Sequence, residues 1–458
     1  MSFRTESDLL GSVPVPAEAL YGAQTQRALD NFPLGHQRAI GSYPTLIRAL
    51  LLIKKAAALT NREIGALSPE RAEAILAAAD DLLARERPDQ FPVHALHGGG
   101  GVSAHMNVNE VLANLAEERL GGRRGEYRRV HPNDHVNLHQ STNDVYPTAG
   151  HMAVIAQWAR LQPALRGLAE AFDRKGREYR GVRRLARTCL QDAVDVTYLD
   201  FFRGYAGYLE RAQERLGAAV DRLYVVNLGG TIVGRAEDVP APYLKGIVPA
   251  LAAVTGEPRY RQSPNLFDAA QNPDDLAAVS AELDLLARGL IKIAQDLRLL
   301  SSGPEAGLGE VTLPAVQPGS SIMPDKINPT IPEFVMQLAF KVIGHHAMCA
   351  AGLNHGDLDL NIWESSMVFA VLESMELLES AAGVFEAKCV RGLTVNAERS
   401  ARHADTLIPM LVRLARRHGY STVTAICKEA GPDAGYLREL LAARLGDDPG
   451  PGPLQIPR

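Results

Sequence analysis

The longest regular pattern in the chain runs from Asn272 to Pro304. Leu276, Val279, Leu283, Leu286, Leu290, Ile293, Leu297 and Leu300 are apolar at intervals that alternate between three and four. A period of 3.5 is the seam of a coiled coil or helix bundle. Asn272 suits an N-cap, Pro273 the first helical position, and Asp274 and Asp275 the positive end of the helix dipole. Ser301, Ser302, Gly303 and Pro304 stop the pattern. It predicts a helix of roughly 28 residues, about 42 Å long, which needs packing partners along its whole length. A second long helix is expected from Ile362 to about Cys389, with Met367, Val371, Met375, Leu378, Ala382 and Phe385 on one stripe. A third starts near Pro332 and runs through FVMQLAFKVIG. Strand signals are weak: Val130 and Leu223 to Val226 suggest small hairpins at most. No internal repeat is evident. The pattern predicts a mainly all-α fold built on a bundle of long helices.

Three zones divide the chain. Residues 1–143 mix helical stretches with Gly-rich and Asn-rich loops, HGGGG at His97–Gly101 and HPNDHVN at His131–Asn137. Residues 144–397 hold the long periodic segments. Residues 398–458 are a small C-terminal domain ending in DDPGPGPLQIPR, a composition that predicts a frayed tail.

Composition narrows the function classes. The 458 residues are 46% hydrophobic and 22% charged, ample for a packed interior. Net charge is −5, and no basic block with interleaved aromatics appears, which argues against nucleic-acid binding. Cys189, Cys349, Cys389 and Cys427 lie far apart, with no CxxC pair and no zinc-finger spacing, so free thiols in a reducing compartment and no metal site are expected. The start, MSFRTESDLLG, has no apolar signal region, and apolar runs such as Ala49 to Ile53 are short of a membrane span. A cytoplasmic protein without membrane contact is the expectation.

The best candidate for chemistry is GSSIMPDKINP, Gly319–Pro329. Gly allows a tight backbone, Ser320 and Ser321 offer hydroxyls, and Pro324 and Pro329 stiffen the loop. Lys326 follows Ser320 by six residues, Asn328 comes two later, and the loop leads into a helix N-terminus that attracts anions. A capping loop with one surface lysine is the plain alternative. The same holds for STND, Ser141–Asp144, whose residue types all cap helices.

At every fixed position the loop resembles the signature GSSxMPxKxN of the aspartase/fumarase superfamily. The resemblance covers nearly the whole chain in order: GAQTQR, GGGGVSAHMNVNEVLAN, HPNDHVNLHQSTNDVYPT, TCLQDA, VNLGGTIVG, DLRLLSSGP and GYSTVTAICKEA. More of these segments are similar to aspartases than to fumarases. The resemblance implies a three-domain helical fold, a homotetramer with sites shared between subunits, and cofactor-free β-elimination from a small dicarboxylate to give fumarate. It implies Ser320 as the base, acting as an alkoxide. Ser141, Thr142 and Ser321 would hold the carboxylate beside the acidic carbon, and Lys326 and Asn328 the other one. Asn143 and Thr188 would meet the leaving group. Ser103, Cys189 and Glu333 would support the site, Glu333 doubling as a first-turn acid. His131, Asn133 and Asp134 resemble a second anion site, or form a solvated turn.

Four departures bear on the leaving group. Cys189 stands where the family has His or Gln, and a thiol is a poor donor. Val102 replaces a Thr, Glu305 replaces an Arg, and VTYLDFF (Val196–Phe202), preceded by Asp195, replaces the more usual MTLGQE. The expected reaction is therefore L-aspartate to fumarate and ammonia. The alternatives are a fumarase, a lyase acting on a modified aspartate or succinate with an amine-derived or nitro leaving group, and a catalytically inactive structural relative.

Overall fold

Helix dominates the protein, as its apolar periodicity requires. The computed structural model describes residues 2–450 except Leu34, His36, Gln37, Asp447 and Pro449. Its helices are α1 (Ala23–Asn31), α2 (Pro44–Glu63), α3 (Pro69–Ala84), α4 (Val102–Arg119), α5 (Thr142–Glu178), α6 (Tyr198–Arg222), α7 (Ala241–Thr255), α8 (Leu266–Gln271), α9 (Asp274–Leu300), α10 (Thr330–Asn354), α11 (Glu364–Phe385), α12 (Ala397–Ala404), α13 (Leu407–His418), α14 (Tyr420–Ala430) and α15 (Ala434–Leu445). The strands are β1 (Phe3–Asp8), β2 (Gly11–Pro16), β3 (Arg183–Thr188), β4 (Gln191–Thr197), β5 (Val225–Val226), β6 (Arg261–Gln262), β7 (Val311–Thr312) and β8 (Thr394–Val395), paired in four two-stranded sheets.

The period-3.5 segment is α9, 27 residues long, and all eight of its seam residues are buried. Its start differs in detail. Pro273 C=O accepts the first helical bond, from Ala277 N–H, so Pro273 is the cap residue. The Asn272 side chain is spent on the end of α8, donating to Asp268 Oδ1 at 2.7 Å. The helix expected from Ile362 is α11, which continues into a π-helical turn at Glu386–Val390. The helix expected near Pro332 is α10, beginning at Thr330.

Two hairpins went unforeseen, β1–β2 and β3–β4, both antiparallel. Their two-residue turns are Leu9–Leu10 and Cys189–Leu190, without the Asn-Gly chemistry that marks such turns. The expected hairpin at Leu223–Val226 does not form. Only Val225–Val226 is extended, and it pairs in parallel with β6, a geometry that a tight turn cannot connect. Val130 lies in a bend instead of a strand.

By its contacts the chain forms two units. The first comprises residues 1–161, 214–285 and 341–377, and the second residues 162–213, 286–340 and 378–458. In the first, α2 buries Leu46, Leu50 and Ile53 and packs against α3 and α7. In the second, Phe172, Tyr198, Phe201, Phe202, Tyr205 and Phe385 make an aromatic cluster with ring centroids 4.8–6.1 Å apart. VTYLDFF thus supplies core aromatics. Also in the second unit, α13, α14 and α15 close over Met410, Leu414, Val423, Ile426, Leu437 and Leu441.

By length and composition α10 is apolar enough to cross a membrane, yet most of its side chains are not buried within the chain. Phe334 is 39% and Phe340 53% exposed, too much for core phenylalanines of a folded helix.

Candidate active site

The signature loop lies in the second unit, between β7 and α10. Gly319 N–H donates to Lys326 C=O (2.8 Å) and Asn328 Nδ2 donates to Gly319 C=O (2.7 Å), closing the loop on itself. A Cβ at Gly319 would sit 2.5 Å from Lys326 O and 2.6 Å from Asn328 N, so only glycine allows this closure. Asp325 turns the chain with φ +63°. The closed loop holds a concave face of about 510 Å³, lined by Ser320 and Lys326 among others.

Inside the loop Ser320 Oγ accepts from Ile322 N–H (3.2 Å) and Met323 N–H (2.9 Å). Two backbone donors aimed at one hydroxyl oxygen favour its anionic form. Lys326 Nζ donates to Asn328 Oδ1 at 2.8 Å, which holds the ammonium beside the amide. Ser321 is exposed on the same loop. Glu333 is a first-turn acid of α10, 3.5 Å from Arg298 Nη2 at the end of α9.

Thr188 ends β3 in the same unit, and Cys189 and Leu190 form the hairpin tip with φ +52° and +61°. Positive φ at both central residues makes this a type I′ turn, built here from two residues that disfavour it. Buried Glu310 anchors the hairpin, accepting from Arg187 Nη2 (2.6 Å) and bonding His403 Nδ1 (2.8 Å). Near Glu305 it is Arg399 that supplies a guanidinium, donating to the carbonyls of Pro304, Glu305 and Gly307 at 2.6–3.0 Å.

In the first unit STND opens α5 as a cap. Ser141 N–H donates to Asp144 Oδ1 (2.9 Å) and Asn143 N–H to Ser141 Oγ (3.2 Å), a reciprocal capping arrangement. Asp144 Oδ2 accepts from Gly229 N–H (2.9 Å), and Asn227 Nδ2 donates to Asn143 C=O (3.0 Å). The VNLGG segment therefore wraps the cap. Burial pushes the Asp144 carboxyl up to about 6. Ser103 is in the first turn of α4, and Val102 beside it is exposed. At the third motif His131 Nδ1 takes the N–H groups of Asn133 (3.2 Å) and Asp134 (3.3 Å), the amides an anion there would need.

The expected residues thus divide between the two units: Ser103, Ser141, Thr142 and Asn143 belong to the first, and Thr188, Cys189, Ser320, Ser321, Lys326, Asn328 and Glu333 to the second. Sequence reading missed three groups close to Thr142. Lys54 and His105 are fully buried behind it. Glu364 lines a cavity of about 10 Å³ with Thr142 and Asn143, roughly the room of one water. Burial pushes its carboxyl up to about 8. His105 lies within the quoted GGGGVSAHMNVNEVLAN segment, but no local motif marks Lys54 or Glu364, because the partners lie far apart in the chain.

A family model described as lyase matches residues 11–344. The class II fumarate hydratase of Ralstonia nicotianae is 41% identical over 97% of this chain and 95% of its own. An aspartate ammonia-lyase from a Bacillus species is 38% identical over 95% of this chain and 92% of its own. The chain belongs to the aspartase/fumarase superfamily. Solved structures agree on the fold of this superfamily lyase. A class II fumarase from Schistosoma mansoni superposes with a TM-score of 0.92 at 30% identity, covering 97% of this chain and 96% of that one. A fumarate lyase:delta crystallin from Brucella melitensis gives 0.88 at 40% identity, covering 96% and 99%. Hydratases and ammonia-lyases are similar to it to nearly the same degree, so identity alone does not choose the leaving group.

Proposed function

We propose that this superfamily lyase carries out β-elimination on L-aspartate or a close relative, releasing fumarate and ammonia. The observation that carries the reading is the pair of backbone N–H groups on Ser320 Oγ. An alkoxide there takes the proton from the carbon next to one carboxylate. The electron pair passes through an enediolate on that carboxylate into the new C=C bond, and the C–N bond breaks. Donors on the enediolate stabilise it most when they are fixed in advance, a role suited to Ser141, Thr142 and Ser321. Lys326 and Asn328, already bonded to each other, suit the second carboxylate. Asn143 and Thr188 suit the leaving group. An ammonia-lyase is favoured over a hydratase because the exposed Cys189 offers no imidazole to activate water. Incubation with L-aspartate, L-malate and N-substituted aspartates, followed by fumarate absorbance, tests this. Aspartate is expected to give the fastest signal, and malate alone reacting would reverse the choice.

The same reading includes a homotetramer with sites shared between chains, which would place further copies against the exposed apolar side chains of α10. A cytoplasmic location goes with it.

A further inference from the structure

Lys54 is fully buried in α2, and its three hydrogen-bond partners are neutral. Nζ lies 3.0 Å from Asn137 Oδ1, 2.9 Å from Gln140 Oε1 and 2.6 Å from His105 Nε2. The other ring nitrogen, His105 Nδ1, lies 2.8 Å from Thr142 Oγ1. The two amides are fixed the right way round, since Asn137 Nδ2 donates to Gln140 C=O and Gln140 Nε2 to Val136 C=O. Their oxygens therefore face Lys54 and take two of its protons in either charge state. Only the third position is undecided.

That third position controls Thr142. A charged Lys54 donates its third proton to His105 Nε2, which forces the imidazole proton onto Nδ1. Nδ1–H then donates to Thr142 Oγ1, leaving the threonine proton free to point outward to a carboxylate. A neutral Lys54 instead accepts from Nε2–H through its lone pair. Nδ1 is then bare, the Thr142 hydroxyl turns inward to donate to it, and only lone pairs face a bound anion. We propose that Lys54 and His105 are positioning residues that set the direction of the Thr142 hydroxyl, and through it the affinity of the site for a carboxylate. The proposal rests on the assignment of Thr142 to the substrate carboxylate.

The groups around the switch act on its titration. Burial lowers Lys54 well below the usual lysine value and keeps His105 neutral. Asp144, from α5, opposes part of the drop in Lys54. From α7, Tyr243 feels the charge of Asp144 and is raised by burial, so it is uncharged. His139, lowered by burial, is bonded to Asn61 of α2. The charged pairs between α2 and α3, Lys55–Asp80 and Arg62–Glu73, are exposed at their acidic ends and screened by water.

The test is binding of succinate, a four-carbon dicarboxylate with no leaving group, to the whole enzyme by calorimetry from pH 6.5 to 10. Wild-type affinity should fall along an alkaline limb. Lys54→Met and His105→Phe should each weaken binding at neutral pH, on the order of tenfold, and each should lose that limb. The double variant should be no weaker than either single one, because one relay is broken in all three. KM for the true substrate should rise more than kcat falls. A flat wild-type profile overturns the proposal even where a variant does not fold. A limb that survives in the variants overturns it too, since Lys326 would then be its source. Thr142→Ala separates the premise: full succinate affinity in that variant removes Thr142 from the carboxylate site, whatever the limb does.

Discussion

A serine is a poor base unless its surroundings hold the negative charge, and at Ser320 those surroundings are two backbone amides supplied by the loop itself. Ser320→Ala keeps those amides and nearly the same volume, so it should bind substrate while kcat falls by a factor on the order of 10³ or more. Lys326→Ala should raise KM as well, because it removes a cation from the proposed carboxylate site. Near-normal turnover in Ser320→Ala would move the base elsewhere. Glu364 makes a different prediction. Its carboxyl is raised from 4.5 to about 8 by burial, so between those values the folded protein holds a proton that the unfolded chain has released. Stability contributed by this group therefore declines as pH rises from about 4.5 to 8, and levels off above. Glu364→Gln should remove that slope. Its melting temperature relative to wild type should be higher at pH 8.5 than at pH 5.5, and an equal difference at both would show that Glu364 ionises normally. Among single residues the signature loop was legible because Gly319, Pro324 and Pro329 announce a fixed loop. The Lys54–His105–Thr142 relay was not, since its members are separated by 51 and 37 residues.

At the scale of elements, legibility followed the strength of the periodic signal. The α9 seam uses only Leu, Ile and Val, and its whole stripe is buried as read. The longest helix, the 37-residue α5, was not singled out. Its buried face runs through Val145, Ala149, Met152, Leu161, Leu165, Leu168 and Phe172, but Pro147 and Pro163 interrupt the sequence where a helix would be read. The β3–β4 hairpin was hidden for the opposite reason, that its turn breaks the residue preferences of its class. Replacing Cys189 and Leu190 by Asn and Gly should relieve roughly 1–2 kcal/mol of backbone strain. Slower amide exchange through Arg183–Thr197 would register the gain. Unchanged exchange would mean that the left-handed turn is not strained. If Thr188 meets the leaving group, the same pair of changes should also alter kcat, because the tip sets its direction.

For the whole molecule, the resemblance and the matched relatives agree on the family and on its helical fold. What one chain displays is expected site residues divided between its two units, and a long apolar helix with exposed phenylalanines. Light scattering should give four times the chain mass, and a monomer at micromolar protein would remove the shared-site reading. Mixing Thr142→Ala with Lys326→Ala chains should restore part of the activity through hybrid sites that carry both native residues. No recovery after confirmed exchange would place each site in one chain. If the proposed tetramer forms, the exposed side of α10 also has a consequence for the life of the chain before assembly. A newly made chain would carry Phe334 and Phe340 uncovered, a surface as ready to meet another unfolded chain as a further copy in the proposed tetramer. Synthesis should therefore be the vulnerable stage: fast expression in warm cells should yield inclusion bodies, and slow, cool expression or abundant chaperones should yield enzyme. Phe340→Glu should shift that balance, giving a soluble chain that cannot complete its assembly.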